Sequence, residues 1–141
     1  MTALRADVYE RDYILRLIAS VGQMLRAMVH AVREQRPDDS LEIARDAVEA
    51  LLDTPITLAD ALTGDGLVTF LSSGGQLDVV RARLLGEVLS ARADAFELAR
   101  EPERAEAERG RALTVLQAAE PLAEGNDAER IAEFIAAIGE G

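Results

Sequence analysis

The sequence predicts an all-α fold, and three observations support this. Apolar residues make up 49% of the 141 residues but aromatic residues only 4%, and alanine and leucine, which dominate the apolar set, lose little side-chain entropy in helices. Apolar side chains recur at spacings of three and four, and no stretch alternates as a strand does. We therefore predict one all-helical domain over residues 1–141. It comprises a long basic amphipathic helix (1–37), short connecting helices (38–75), and a helical hairpin with a terminal helix (76–141).

The N-terminal helix is predicted over residues 7–34 and carries a broad apolar stripe. Its heptad seam consists of Ile14, Ile18, Val21, Leu25, Met28 and Val32, and it is widened by Leu17, Met24 and Val29. A stripe broader than a coiled-coil seam implies contact with more than one neighbour. Residues 1–37 hold six arginines and four acids, whereas the remaining residues hold nine arginines and 22 acids. This contrast indicates a docking or assembly helix on an acidic body.

Six further helical segments are predicted between turn signals. They cover residues 41–53, 57–64, 65–71, 76–99, 102–119 (or 122) and 126–139. Asp39 with Glu42 is predicted to form a capping box for the first of these, with Ser40 as the alternative cap. Asp65 is the predicted cap of the third, and the serines and glycines of 72–75 are predicted to separate helices.

The composition excludes several kinds of chemistry. The chain has no cysteine, which excludes disulfides, thiolate catalysis and zinc–sulfur sites. A net charge of −11 disfavours nucleic acid, because phosphates require a basic surface. No apolar run reaches the ~20 residues that span a bilayer, and charged residues interrupt the start of the chain, unlike a secretory signal. We expect a soluble, cytoplasmic protein.

The hairpin from Leu84 to Ala119 resembles a tetratricopeptide unit. Leu84-Leu85-Gly86 on its first helix and Ala105 with Ala112 on its second match the small-residue pattern of such units. It lacks their aromatic residues, is longer than their 34-residue repeat and has no second copy. The resemblance therefore implies a single helical hairpin and not a repeat array.

Most of the chain is similar to a bacterial all-helical family of unknown function. Three segments carry this resemblance: Tyr9-Glu10-Arg11-Asp12-Tyr13-Ile14-Leu15-Arg16-Leu17-Ile18, Leu67-Val68-Thr69-Phe70-Leu71, and a glycine followed by Gln76-Leu77-Asp78. It implies an all-helical fold in a bacterial protein, and it brings no assigned activity.

The sequence predicts no catalytic residue, no cofactor and no metal site. His30 and Glu34 have the spacing of a ligand pair on a helix, but a stable site needs three or four ligands. The glycines near 64–66 and 72–75 lack the strand and lysine of a phosphate loop. Alternating charges over residues 100–111 are typical of a solvated helix face. These residues are Arg100, Glu101, Glu103, Arg104, Glu106, Glu108, Arg109 and Arg111.

The candidate interface lies on the N-terminal helix, where aromatic, methionine and arginine side chains typical of interfaces occur together. Its predicted members are Tyr9, Tyr13, Arg16, Leu17, Val21, Met24, Leu25 and Met28. The favoured function is a non-catalytic interaction or scaffold module that forms a homodimer through this helix or binds an unidentified protein. A membrane surface is disfavoured, because Asp7, Glu10 and Asp12 would face anionic lipid.

Two alternatives stay open at this point. The apolar stripe packs inside its own chain, against residues 41–52 and the terminal helix, or it joins two copies. In the competing class of function, the protein binds a small ligand or is an enzyme, with a pocket of carboxylates and arginines between helices.

Overall fold

The computed structural model describes the backbone of residues 2–140 and the side chains of residues 9–139, and within these bounds it confirms the all-α prediction. Its elements are α1 (Thr2–Arg33), α2 (Pro37–Leu52), α3 (Ile56–Asp60), α4 (Gly64–Phe70), β1 (Ser72–Ser73), β2 (Gln76–Leu77), α5 (Val79–Leu98), α6 (Pro102–Ala119), a 3-10 turn (Glu120–Leu122) and α7 (Gly125–Glu140). No helix between residues 2 and 140 is both long and apolar enough to cross a lipid bilayer.

One face of α1 packs against α2 and α5. Leu17, Val21 and Met28 are buried on this face, with exposed fractions of 8%, 0% and 0%. They recur at intervals of four and seven, so they lie on one side of the helix. Part of the predicted heptad seam therefore belongs to the core of the protomer.

The predicted start of α2 was wrong. The helix begins at Pro37, Arg36 is its N-cap, and neither Asp39 nor Ser40 supplies a capping hydrogen bond. Proline fits the first helical position because its missing N–H would have no intrahelical partner there. Ser40 is fully buried, so its side chain packs inside the protein.

Residues 72–77 form a β-hairpin, which corrects the prediction that 72–75 only separates two helices and that the next helix starts at Gln76. Ser72 pairs with Leu77 and Ser73 with Gln76. The intervening Gly74 and Gly75 both have positive φ, +59° and +80°, as a type I′ turn requires. Helix α5 then starts after Asp78, whose side chain accepts a hydrogen bond from the Arg81 backbone N–H at 3.1 Å.

Two further helix ends differ from the prediction. The cap of α4 is Thr63, whose hydroxyl accepts the Gly66 backbone N–H at 3.0 Å, and not Asp65. Helix α7 continues past Gly139 to Glu140, because a glycine lowers helix propensity by about 1 kcal/mol without enforcing a stop.

Helices α5 and α6 form the predicted hairpin and make the most extensive helix contact of the fold. Gly86 faces Leu116 so closely that a Cβ at position 86 would lie 2.4 Å from a Leu116 methyl carbon. Gly86 is therefore required by the close approach of the two helices, as the small-residue pattern predicts. Pro102 opens α6, also as predicted, after Arg100 turns the chain at φ +64°.

Candidate functional site

An open groove lies between α1 and α7, with α5 as its floor. Its volume is about 940 Å³. Its apolar lining comes from all three helices: Ile18, Leu25 and Val29 of α1, Leu84 and Ala91 of α5, and Phe134 of α7. Ala19 and Gly22 also line it, so the α1 backbone is easily approached there.

The α1 wall of this groove contains a second apolar stripe, distinct from the buried one: Ile18, Gly22, Leu25 and Val29. The stripe continues beyond the groove to Leu15, at steps of three and four. These steps place the residues on one side of the helix. Leu15 is 58% and Val29 43% exposed, while Ile18 and Leu25 are partly buried against the core. Helix α1 is thus apolar on one side toward its own core and on another toward the groove.

One corner of the groove holds a carboxylate that is already satisfied. Glu87 of α5, whose side chain is 3% exposed, accepts a hydrogen bond from Arg130 at 2.6 Å and another from Arg83. The hydrogen bond to Glu87 and its negative charge raise the pKa of Arg130 although burial acts the other way. Arg83 Nε also lies 2.7 Å from an Asp127 carboxylate oxygen. The charges of the two arginines and the two acids cancel in this corner of the groove.

The C-terminal half of α1 adds a cationic edge to the groove. Arg26, His30 and Arg33 line it at intervals of four and three residues, so they form one row along the helix. Among residues 9–139, no carboxylate lies within 4 Å of Arg26 or Arg33. The edge is therefore open to an acidic side chain of a binding partner.

The structure separates the eight candidate interface residues into three groups: buried, partly buried and exposed. Leu17, Val21 and Met28 are buried against α2 and α5, so their apolar character is accounted for within one protomer. Met24 and Leu25 are partly buried, and Leu25 also lines the groove.

The remaining three candidates stay accessible near the start of α1. Tyr9 is 68% and Tyr13 44% exposed, with Tyr13 stacked on the Arg81 guanidinium at 5.5 Å. Arg16 is exposed and its Nε donates only to the backbone oxygen of Asp12, at 3.4 Å. The eight candidates omit Leu15 and Val29, although the predicted stripe already included Val29. Leu15 and Val29 each lie seven residues from Gly22, on the same side of the helix as Ile18 and Leu25, which was a readable signal.

A second charged cluster, buried between α3, α5 and α6, was missed by sequence reasoning. Arg92 donates to both oxygens of Asp60, at 2.7 and 3.1 Å, and to Glu108 at 2.7 Å. Arg111 donates to Glu108 at 2.6 Å and to the Ala59 backbone oxygen at 2.8 Å. Glu108 is 3% and Arg92 7% exposed, which corrects the prediction that Glu108 belongs to a solvated face.

The geometry of this cluster is that of a structural clamp. Two arginines and two acids again cancel, and the Phe96 ring lies between the guanidinium groups of Arg92 and Arg104, at 5.0 and 4.3 Å. Burial acts to lower the pKa of Arg92, but its hydrogen bonds and the charges of its acid partners raise it. The clamp joins residues far apart in the chain and holds α3 on the hairpin.

The pKa of Asp60 gives this clamp a testable pH dependence. Burial disfavours the charged carboxylate, yet the hydrogen bond from Arg92 and the surrounding arginine charges outweigh burial and hold the pKa of Asp60 below its ordinary value of 3.8. A lowered folded-state pKa means that the unfolded chain binds more protons near this pH, so stability rises with pH there.

We expect Asp60→Asn to lower the free energy of unfolding at pH 7, and the difference from the natural protein to shrink in acid. The difference should be constant well above pH 3.8, decrease once the pH falls to that value, and vanish below the folded-state pKa. Urea titrations at several pH values between 2 and 7 measure it. A difference that stays constant throughout would mean that Arg92 does not stabilise the ionised carboxylate.

The other residues that the sequence singled out have structural roles, or they lack the further ligands that a metal site needs. Within the described residues no group of three or more histidine, cysteine or acidic side chains could hold a metal ion. Ser72 and Ser73 lie in β1. Gly64 packs on α6, where a Cβ would lie 2.7 Å from the Thr114 Cβ, so contact with α6 accounts for this glycine.

Comparison with known proteins gives no assignment. No family model, no curated protein and no solved structure matches this chain. The resemblances to a bacterial helical family and to a tetratricopeptide unit therefore stay predictions, and the groove and α1 are the features that bear on function.

Proposed function

We propose that this protein is a non-catalytic helical interaction module that forms a homodimer through α1. The observation that carries the proposal is the second apolar stripe of α1, from Leu15 to Val29, which borders an open groove and has no covering element among the described residues. Contiguous exposed apolar surface of this kind is typical of protein–protein contact sites.

The length of α1 also supports an assembly role. Its 32 residues span about 48 Å at 1.5 Å per residue, against about 24 Å for the 16 residues of α2, its main packing partner. Residues 9–13 are all exposed. A helix that extends beyond its own core and keeps Tyr9 and Leu15 accessible is suited to contact a second molecule.

The proposal extends to the setting of the protein. The predicted family resemblance supports a bacterial, cytoplasmic protein, and the α5–α6 hairpin supports a tetratricopeptide-like mode of presenting a helical surface. An unidentified protein partner would bind on the acidic body, away from α1.

A small-ligand-binding role is the second candidate, and the volume of the groove favours it. About 940 Å³ lies within the range of small-molecule sites, roughly 300–1,000 Å³, and the groove contains both carboxylates and arginines. Its carboxylate Glu87 is already occupied by two arginines, however, so a ligand would gain contacts mainly from Arg26 and Arg33. A ligand binder would gain thermal stability with a metabolite, whereas a homodimer gains it with protein concentration.

Light scattering coupled to size-exclusion chromatography tests the proposal with a matched pair of variants. Over a hundredfold concentration range we expect a mass of twice 15.2 kDa for the natural protein. Leu15→Glu places a carboxylate in the apolar contact at a cost of about 1–3 kcal/mol, so it should weaken dimerisation roughly tenfold or more.

Leu122→Glu is the control, because Leu122 is as exposed as Leu15 (56% against 58%) but lies outside α1. It should leave the dimer intact, and both variants should keep the helical circular dichroism spectrum. A natural protein that is monomeric at every concentration would overturn the proposal, and so would equal weakening by the two variants.

A further inference from the structure

We infer that the groove is filled by the α1 helix of a second copy, which lies antiparallel to the first and crosses it at Ala19–Gly22. This inference rests on the proposed homodimer and adds its geometry. The projecting end of each α1, residues 9–16, then lies over the C-terminal half of the α1 of the other copy.

The two halves of α1 complement each other. The N-terminal half exposes apolar surface, and the C-terminal half borders a groove that the described residues leave unfilled. Residues 9–16 include Leu15, which is 58% exposed and, seven residues before Gly22, lies on the groove side of α1. Tyr9 and Tyr13 lie on other sides of the helix, and Tyr13 stacks on Arg81 of its own chain.

Residues 25–33 border the apolar groove, which has room but no occupant within the described chain. Counted outward from the crossing point, residues 9–16 of one copy come level with residues 25–32 of the other. In a parallel pair, residues 9–16 of the two copies would lie against each other, and so would the two grooves.

At the crossing point, α1 has small residues that allow a second helix to pack closely. Ala19 is exposed and Gly22 is partly exposed, and both line the groove. A Cβ added at Gly22 would meet only the Arg26 guanidinium, at 3.7 Å, so the space above this residue is open. The distance between two packed helices is set by the side chains at their contact, and here those side chains are minimal.

The charges of α1 favour the antiparallel arrangement. Arg26 and Arg33 form the cationic edge of the groove, with His30 between them, and a parallel pair would bring each arginine beside its own copy. In the antiparallel pair the edge instead faces residues 9–16, whose two acids and two arginines sum to zero charge. The antiparallel pair therefore avoids the repulsion between like charges that a parallel pair would have. Antiparallel alignment also opposes the two helix dipoles.

Single cysteines and a short bifunctional maleimide cross-linker test this geometry, because the natural chain has no cysteine to interfere. Leu15→Cys and Arg26→Cys are the reporters, since Leu15 of one copy comes level with Arg26 of the other. Residue 15 of one copy and residue 15 of the other would be eleven residues apart along the axis, about 16 Å, beyond the reach of a short linker.

We expect a mixture of the two variants to give a cross-linked product of twice the protomer mass, and each variant alone to give little. Ala19→Cys, near the crossing, should cross-link to itself in any α1 dimer, and Leu122→Cys, which is exposed outside α1, should not.

The outcomes separate the inference from the proposal on which it rests. Cross-linking of Leu15→Cys alone and of Arg26→Cys alone would show a parallel dimer, which overturns the inference and leaves the homodimer standing. A dimer by light scattering without cross-linking at 15, 19 or 26 would place the interface outside this face of α1 and overturn the inference. A monomer at every concentration would overturn both.

Discussion

Replacing Met28 with aspartate is expected to unfold the protein, whereas the same replacement at the next residue, Val29, is expected to leave it folded. Met28 is 0% exposed and packs in the core, while Val29 is 43% exposed at the groove. An unpaired carboxylate in an apolar core costs several kcal/mol, and the lost burial of the methionine adds about 2 kcal/mol. Together these approach the entire stability of an ordinary domain, about 5–15 kcal/mol.

The two variants form a matched pair, because they add the same charge to the same helix one residue apart. Urea titration followed by far-ultraviolet circular dichroism measures the free energy of unfolding of each. Met28→Asp should lose its helical signal or shift its midpoint far toward zero urea. Val29→Asp should keep both signal and midpoint in its monomeric form, while light scattering shows weaker dimerisation.

A folded Met28→Asp protein with an unchanged midpoint would contradict the packing of α1 on α2 and α5. Unfolding of both variants would contradict the exposure of Val29 and make the whole stripe internal. In that case the stripe of α1 could not form the proposed dimer interface. This pair of variants therefore tests the fold and the function together.

The breadth of the α1 stripe explains why the sequence predicted the helix but not which of its apolar residues are buried in the core. Steps of three and four identify a helix and its apolar sides, because they follow the helical period. They do not say which side meets the protomer's own core. That choice depends on where α2 and α5 lie, and it assigned Leu17 and Val21 to the core while leaving Leu15 accessible.

Helix boundaries were less predictable, because several residues offered competing local interactions. Asp39 with Glu42 matches a capping box, but Pro37 already suits the first helical position, and the helix starts there. The two glycines at 74–75 signalled a break, and the adjoining residues were too few to show the alternation of strands. The pairing of Ser72 with Leu77 and of Ser73 with Gln76 identifies the hairpin, and the positive φ of both glycines fits its turn.

The sequence contains one sign of the buried clamp, but the alternating charges around Glu108 obscure it. Ala105, Glu108, Ala112 and Val115 follow steps of three, four and three, so Glu108 stands on the inward side of α6. A charged residue at an inward position indicates a buried partner, because an unpaired charge is rarely buried. Its partner Arg111 is three residues away, but Arg92 is 16 residues away, and Asp60 pairs with Arg92 across 32 residues. No local pattern identifies these two.

The clamp carries the second large prediction: Arg92→Met is expected to destabilise the protein by about 3–5 kcal/mol, the cost of removing one partner from a buried ion pair. Methionine has a similar length and preserves apolar packing, so the loss is mainly electrostatic. Glu108 would stay buried with Arg111 as its remaining partner. Asp60 would lose the bidentate contact and the phenyl ring of Phe96 one of its two stacked guanidinium groups.

Arg109→Met is the matched control, because Arg109 also pairs with two acids, Asp94 and Glu97, but its partners are 59% and 58% exposed. Exposed pairs contribute about 0–1 kcal/mol, since water screens them and the side chains lose entropy. Urea titration of both variants at pH 7 should therefore give a loss several times larger for Arg92 than for Arg109. Equal losses would show that solvent reaches the clamp, and that α3 is held on the hairpin by its apolar contacts, such as Ala59 in the core, rather than by buried charge.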